Sequence, residues 1–321
     1  MAHLLLDWVY VALGLVILLL AGDVLVKGAV NLALRLGIPA LIVSLTIVAF
    51  GTSAPELLIS VNALLDGQPG LAMGNVVGSN TANILLVLGL PALVFTMSTV
   101  ECDTRKSYVH MILGTLLFIG IAFTAPLTWW HGLILLGALG LVLFDQFLDA
   151  QRARAASAGP AAEQEGPEGA DPELPGWRIA LFLALGIVGL PLGADLLVDG
   201  ASNIARAFGM SDAHIGLTLV AIGTSLPELA TTMVAAYRRQ ADVALGNVIG
   251  SNLFNLLAII GVTALVAPIE VARQFLVIDF WTMLAASVAL APFVFLKWGL
   301  HRIWGMLFMT AYIVYIVAVL A

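Results

Sequence analysis

One polar motif is written twice in this chain. GTSAPEL at 51–57 stands 172 positions before GTSLPEL at 223–229, and GNVVGSNTANIL at 74–85 stands at the same distance from GNVIGSNLFNLL at 246–257. Between 49 and 89, 19 of 41 positions match their partners without a gap. Weaker matches continue upstream, with Asp23 over Asp195, Gly28 over Gly200, Asn31 over Asn203 and Gly37 over Gly209.

The surroundings of the motif are apolar. Hydrophobic residues make up 61% of the 321 and charged ones 10%, where a soluble domain carries about 25% charged residues. No water-soluble core of this length can bury that much apolar surface, so lipid is the solvent for most of the chain. Stretches long enough to span a bilayer, roughly 20 residues, run near 4–26, 38–65, 69–97, 107–125, 128–148, 177–198, 213–236, 241–268, 276–296 and 303–320. The opening stretch lacks a basic n-region and a cleavage site, so it reads as a retained span. Five spans separate the two copies of the motif. Because five is odd, equivalent helices cross the membrane in opposite directions. The expected fold is an all-α integral membrane protein, ten transmembrane helices arranged as two inverted-topology five-helix repeats. The expected units are 1–148, a linker at 149–176 and 177–321. Inverted repeats of this kind build transporters whose site lies near the midplane.

Basic residues orient the chain. With an outer N-terminus, the inner loops hold Lys27, Arg35, Arg105, Lys106, Arg152, Arg154, Arg178, Arg238, Arg239, Lys297 and Arg302, and the outer loops hold Arg206 and Arg273. Eleven against two predicts a cell (inner) membrane protein with both termini extracytoplasmic and the central linker cytoplasmic. The net charge of −7 carries little more, because the acidic linker supplies much of it. No basic and aromatic cluster suggests nucleic acid, and nothing points to a cofactor or an obligatory protein partner. The expected partners are inorganic cations and the lipid bilayer. The one cysteine, Cys102, provides neither a disulfide nor a metal cluster.

Two acidic residues, Glu56 and Glu228, fall in the middle of predicted spans, where a charge costs about 2.5–3.5 kcal/mol on insertion scales. No Lys or Arg stands in either motif to pair with them, so a bound cation is the natural counter-charge. Thr52 and Ser53 precede Glu56 by four and three residues, as Thr224 and Ser225 precede Glu228, which places each group on one side of a helix. Ser79 with Asn83, and Ser251 with Asn255, repeat the four-residue spacing. Pro55 and Pro227 lack the N–H that closes a helical turn, so carbonyls around Gly51–Thr52 and Gly223–Thr224 are free to face an ion. An all-oxygen donor set suits a hard cation such as calcium. Gly74, Gly78, Gly246 and Gly250 are expected to serve close helix packing. Asn80 and Asn252 fit interhelical hydrogen bonds. Asp23 and Asp195, near predicted helix ends, are expected to reach the interface. None of the five histidines lies near the motifs.

GTSxPE followed by GNxxGSNxxN, present twice, resembles the two alpha-repeats of the calcium/cation antiporter superfamily, and looks most like the prokaryotic sodium/calcium exchangers. The resemblance covers essentially the whole chain. It implies that Glu56 and Glu228 bind calcium with the backbone oxygens of Thr52 and Thr224. It implies sodium ligation by the same glutamates with Ser53, Ser79, Ser225 and Ser251, the carbonyls of Ala49 and Ala221, and Asn83 and Asn255. It also implies that the first and sixth spans slide across a fixed core. Asn255 stands where some members carry Asp, on which the potassium-dependent branch relies. The large cytoplasmic domains of animal exchangers are absent. The calcium/proton branch has GNxxE in place of GTSxPE.

Three rivals remain at the level of sequence. A cation/proton antiporter would use the same glutamates as proton carriers. An intramembrane hydrolase would need Ser53 or Ser225 as nucleophile, yet no histidine or lysine is placed as its base, so the chain is not expected to be an enzyme. A passive channel fits poorly with buried carboxylates, which favour tight binding over rapid conduction.

Overall fold

The computed structural model describes residues 2–100, 102–156, 171, 173–209 and 221–320. Much of the expected linker and the start of the expected seventh span, 213–220, lie outside the described residues.

Among the described residues the regular structure is helical. It comprises α1 (Ala2–Leu36), α2 (Ala40–Thr52), α3 (Ala54–Leu65), α4 (Pro69–Val94), α5 (Arg105–Ala122), α6 (Trp129–Ala156), α7 (Gly176–Ala207), α8 (Ala221–Gly223), α9 (Leu226–Tyr237), α10 (Ala241–Val266), α11 (Phe275–Phe295) and α12 (Arg302–Leu320). Seven of these are long and apolar enough to cross a membrane, and the α2–α3 pair, bent by 41°, makes an eighth if it is one span. Strand character is confined to two isolated bridges, Met97 with Leu300 and Leu127 with Ile269. These bridges exchange under the repeat offset to within one position.

Burial sorts the helices into a centre and a periphery. In α4 and α10, 83% of the residues in the apolar window are buried, against 17% in α6 and α12. Each central helix carries one copy of the GNxxGSNxxN motif, so the polar residues of the sequence occupy the part of the fold most shielded from lipid. Peripheral helices present large apolar side chains outward, among them Leu141, Phe144, Val314 and Val317, as a lipid-facing surface requires.

The long helices α1 and α7 pack against each other along their length. Their backbones approach so closely that a Cβ at Gly14 would lie 2.7 Å from the Gly193 carbonyl oxygen, and one at Gly193 would lie 3.0 Å from that of Gly14. Small residues make such contact between spanning helices feasible. Both helices outrun their predicted spans, 4–26 and 177–198. Asp23 is therefore inside α1 rather than at its end, where it pairs with Lys27 at 2.8 Å and with Arg238 at the end of α9. An ion pair, not snorkelling, accommodates it. The glycines of the motif also divide. Gly246 and Gly250 sit against α2, where a Cβ would meet Ser44 Cβ at 2.9 Å and Ala49 Cβ at 2.6 Å. Gly74 and Gly78 instead line a cavity, so the packing expectation holds for one pair and fails for the other.

Candidate functional site

Each glutamate stands just past a break in a helix. Ser53 and Ser225 leave helical geometry in the same way, with φ −85° and ψ 2° at Ser53 and φ −89° and ψ 4° at Ser225. Pro55 and Pro227 fall in the first turn of the helices that follow, where the missing N–H costs least. Glu56 and Glu228 occupy the same turns, at the helix end whose dipole favours negative charge. The sequence thus sets two carboxylates at two interrupted helices inside an apolar protein.

Both carboxylates are buried, at 1% and 0% exposure. Glu228 Oε1 accepts a hydrogen bond from Ser53 Oγ at 3.3 Å, which joins the break of one half to the acid of the other. Thr52 and Ser251 also face Glu228, and their hydroxyls lie 3.4 Å apart. Thr52 Oγ1 donates to Ala49 O at 3.3 Å, and the Ser53 N–H donates to the same carbonyl at 3.0 Å. Glu56 and Glu228 are within electrostatic reach of each other. Two carboxylates so placed repel unless a cation or a proton lies between them.

The asparagines frame the acids. Asn75 Nδ2 donates to the Glu56 carbonyl at 3.1 Å and to Ser60 Oγ at 2.9 Å. Asn247 Nδ2 repeats this with the Glu228 carbonyl at 3.4 Å and Thr232 Oγ1 at 3.2 Å. These two residues belong to the motif but carry no role in the sequence pattern alone. Their signal was available, since they match across the repeat as well as the glutamates do. Asn80 and Asn252 each donate to the other's carbonyl, at 3.2 and 3.3 Å, and Asn83 Nδ2 donates to Asn252 Oδ1 at 3.0 Å. This asparagine cluster ties α4 to α10 at the centre of the molecule.

Local helix geometry widens at the same level. A π-helical turn runs from Asn83 to Val87 and another from Phe254 to Ile259, so Asn83 and Asn255 both lie in turns of this type. Such turns shift side chains out of the regular ladder and are frequent at functional sites.

Several buried polar atoms here have no protein partner: Glu56 Oε2, Glu228 Oε2, Ser225 Oγ, Asn83 Oδ1, and both amide atoms of Asn255. A buried acceptor without a donor costs about 1–3 kcal/mol. With Asn80 Oδ1, six unpartnered oxygens lie within one polar core, an arrangement that suits a cation. Ser79 and Ser251 are buried on α4 and α10, Thr224 is buried beside the second break, and Ala221 opens α8. Among the described residues no cluster of three or more His, Cys, Asp or Glu forms.

Residues 6–148 and 178–321 match the family model described as sodium/calcium exchanger protein. The inner membrane protein YrbG of Escherichia coli is 36% identical over 87% of this chain and 85% of its own. The sodium/calcium exchanger MaX1 of Methanosarcina acetivorans is 32% identical over 97% of each chain. Among solved structures, the sodium-calcium exchanger NCX_Mj superposes with a TM-score of 0.80 at 30% identity, over 98% of this chain and 99% of that one. Motif, helical membrane architecture, polar core and relatives agree, and the chain belongs to the sodium/calcium exchanger family of membrane antiporters.

Proposed function

We propose that this chain exchanges sodium for calcium by alternating access, with the ions held at the midplane between Glu56 and Glu228. The observation that carries the reading is the pair of buried carboxylates at matching helix breaks, joined through Ser53 and surrounded by unpartnered oxygens. Calcium takes six to eight oxygen ligands. The two glutamates and the backbone oxygens of Thr52 and Thr224 are its ligands, and their two negative charges match its two positive ones. Sodium uses the glutamates with Ser53, Ser79, Ser225, Ser251, Asn83 and Asn255 and the carbonyls of Ala49 and Ala221. Ala49 O is open to ligation when the Thr52 hydroxyl gives its one proton to Asn247 Oδ1, which lies at the same 3.3 Å.

The architecture proposed for this activity is ten spans in two inverted repeats, 1–148 and 177–321, joined by a cytoplasmic linker at 149–176, with both termini extracytoplasmic. In this reading α1 and α7 move as one body over the core. They lie against the motif itself, since a Cβ at Gly51 would come within 2.7 Å of Ile187. Movement of that pair would expose the glutamates to one side and then the other.

The deciding experiment is calcium uptake into proteoliposomes with sodium, potassium or proton gradients imposed in turn. Uptake driven by an opposed sodium gradient is expected. Uptake driven by protons alone would assign the glutamates to proton exchange, and uptake without any counter-ion would indicate a channel.

A further inference from the structure

Asp279 is a buried acid that the site above does not use. It closes the π-helical turn Phe275–Asp279, from which the regular part of α11 begins. Its side chain is 3% exposed and its Oδ1 has no partner. None of the ion pairs among the described residues includes it. A lone carboxylate in such a place is costly.

Asp279 lines a cavity of 360 Å³ that also touches Gln274, Tyr312, Tyr315, Ser79 and Thr224. Gln274 is exposed, while Ser79 and Thr224 are buried in the polar core. The cavity therefore runs from a rim at the start of α11 to hydroxyl-bearing residues of the candidate site. At about 30 Å³ per water, it has room for a cation that keeps part of its hydration shell. Asp279 contributes one negative charge, which balances one monovalent cation and leaves a divalent one half compensated. Position 107, one repeat offset earlier, is a serine whose Oγ accepts a hydrogen bond from Gln146 Nε2 at 3.3 Å. The other half thus has a satisfied neutral residue where this half has an unpartnered carboxylate.

We propose that Asp279 binds a partly hydrated monovalent cation of sodium's class in this vestibule, one step before Ser79 and Thr224. The direction of passage rests on the transport reading and topology above; the binding itself does not. On that topology the vestibule opens to the extracytoplasmic side, so the effect is one-sided.

Two measurements test this. In sided vesicles, Asp279→Asn should raise the sodium concentration for half-maximal exchange at the extracytoplasmic face by roughly tenfold, the factor for a lost contact of about 1.4 kcal/mol. The cytoplasmic value and the calcium dependence should hold, and Asp279→Glu should recover most of the effect. In purified E56Q/E228Q protein, radiolabelled sodium should still bind, and adding D279N should remove that binding. An unchanged sodium dependence in D279N, an equal shift at both faces, or binding indifferent to D279N would overturn the proposal. If the wild-type protein shows no sodium/calcium exchange while D279N still abolishes sodium binding in E56Q/E228Q, the transport reading fails and this site stands.

Discussion

Arg238 reaches from the end of α9 to Asp23 in the middle of α1, where its Nε donates to Oδ1 at 2.7 Å. The pair fastens the α1–α7 body to the core at one end of the molecule. One repeat offset away, the corresponding positions are Asp66 and Asp195, two acids that cannot form the same clasp. On the alternating-access reading, charge therefore favours one arrangement of the two bodies over the other. The arginine is mostly buried, with 15% of its side chain exposed, and the aspartate keeps 29% exposed. A contribution of about 1 kcal/mol is reasonable for a charged hydrogen bond in that setting. Arg238→Gln should shift the balance between the two access states several-fold, read as altered labelling of single cysteines placed on either side of the site. Unaltered labelling would show that the clasp does not bias the cycle.

Substituting either central acid should stop transport and spare the fold. Glu56→Gln and Glu228→Gln keep the size and much of the hydrogen-bonding capacity of the side chain while removing the charge that balances the cation. Each should abolish sodium-driven calcium exchange, whereas thermal unfolding in detergent should show no loss of stability, because a buried charge has been removed. Near-wild-type transport by either variant would displace the site from these residues.

Asn75 and Asn247 should matter in a different way. Each holds the backbone at a glutamate and a hydroxyl one turn further on, and neither has a fully buried side-chain atom without a partner. Asn75→Ala should leave the Ser60 hydroxyl and the Glu56 carbonyl short of a donor, at a cost of about 1–3 kcal/mol in stability. Calcium exchange should persist with weakened affinity, and Asn75→Gln should not restore it, since the extra methylene misplaces the amide. Complete loss of exchange in well-folded Asn75→Ala protein would make this residue a ligand instead of a support.

Orientation is open to direct test, although not at the native thiol. Cys102 is buried, so labelling it would report on access within the protein as much as on sidedness. Gln151, exposed near the end of α6, is a better position. A Cys102→Ser, Gln151→Cys protein should react with a membrane-impermeant thiol reagent in inside-out vesicles and resist it in intact spheroplasts. The reverse pattern would invert the proposed topology.

The centre of the molecule was legible because polar residues repeated within apolar runs have few explanations. Glu56 and Glu228, the serines beside them and the Asn80–Asn252 contact all follow from that one fact. What the sequence concealed lies where predicted spans end. Asp23 stands near the end of the 4–26 span, yet the helix continues to Leu36 because Lys27 and Arg238 neutralise it. Helix α7 likewise runs past 198, with Asn203 Nδ2 donating to Asp7 Oδ1 at 3.0 Å and Arg206 donating to Asn203 at 2.8 Å. Asp279 begins a predicted span, where a carboxylate ordinarily faces water. Its burial arises from a π-helical turn and from the neighbouring helix α12, neither of which has a local sequence signature.

On the proposed reading, Asn255 sets how many cations the core can balance. Both of its amide atoms are buried without a partner, whereas its repeat counterpart Asn83 donates to Asn252. Position 255 is thus the place where a further ligand would act. With a neutral amide there, Glu56 and Glu228 offer at most two negative charges, and an additional buried cation beside calcium would cost several kcal/mol. Exchange should therefore be sodium-driven and independent of potassium. If more than two sodium ions move per calcium, each cycle carries net charge and responds to voltage, at about 2.3 kcal/mol per charge per 100 mV. The measurement is calcium uptake into sodium-loaded vesicles, with external potassium replaced by choline and the voltage clamped by a separate ionophore. Asn255→Asp supplies the missing third charge, and it should either create a dependence on a further monovalent cation or make exchange sensitive to pH as the new acid takes up a proton. A strict potassium requirement in the unaltered protein would show that another carboxylate reaches this core during the cycle.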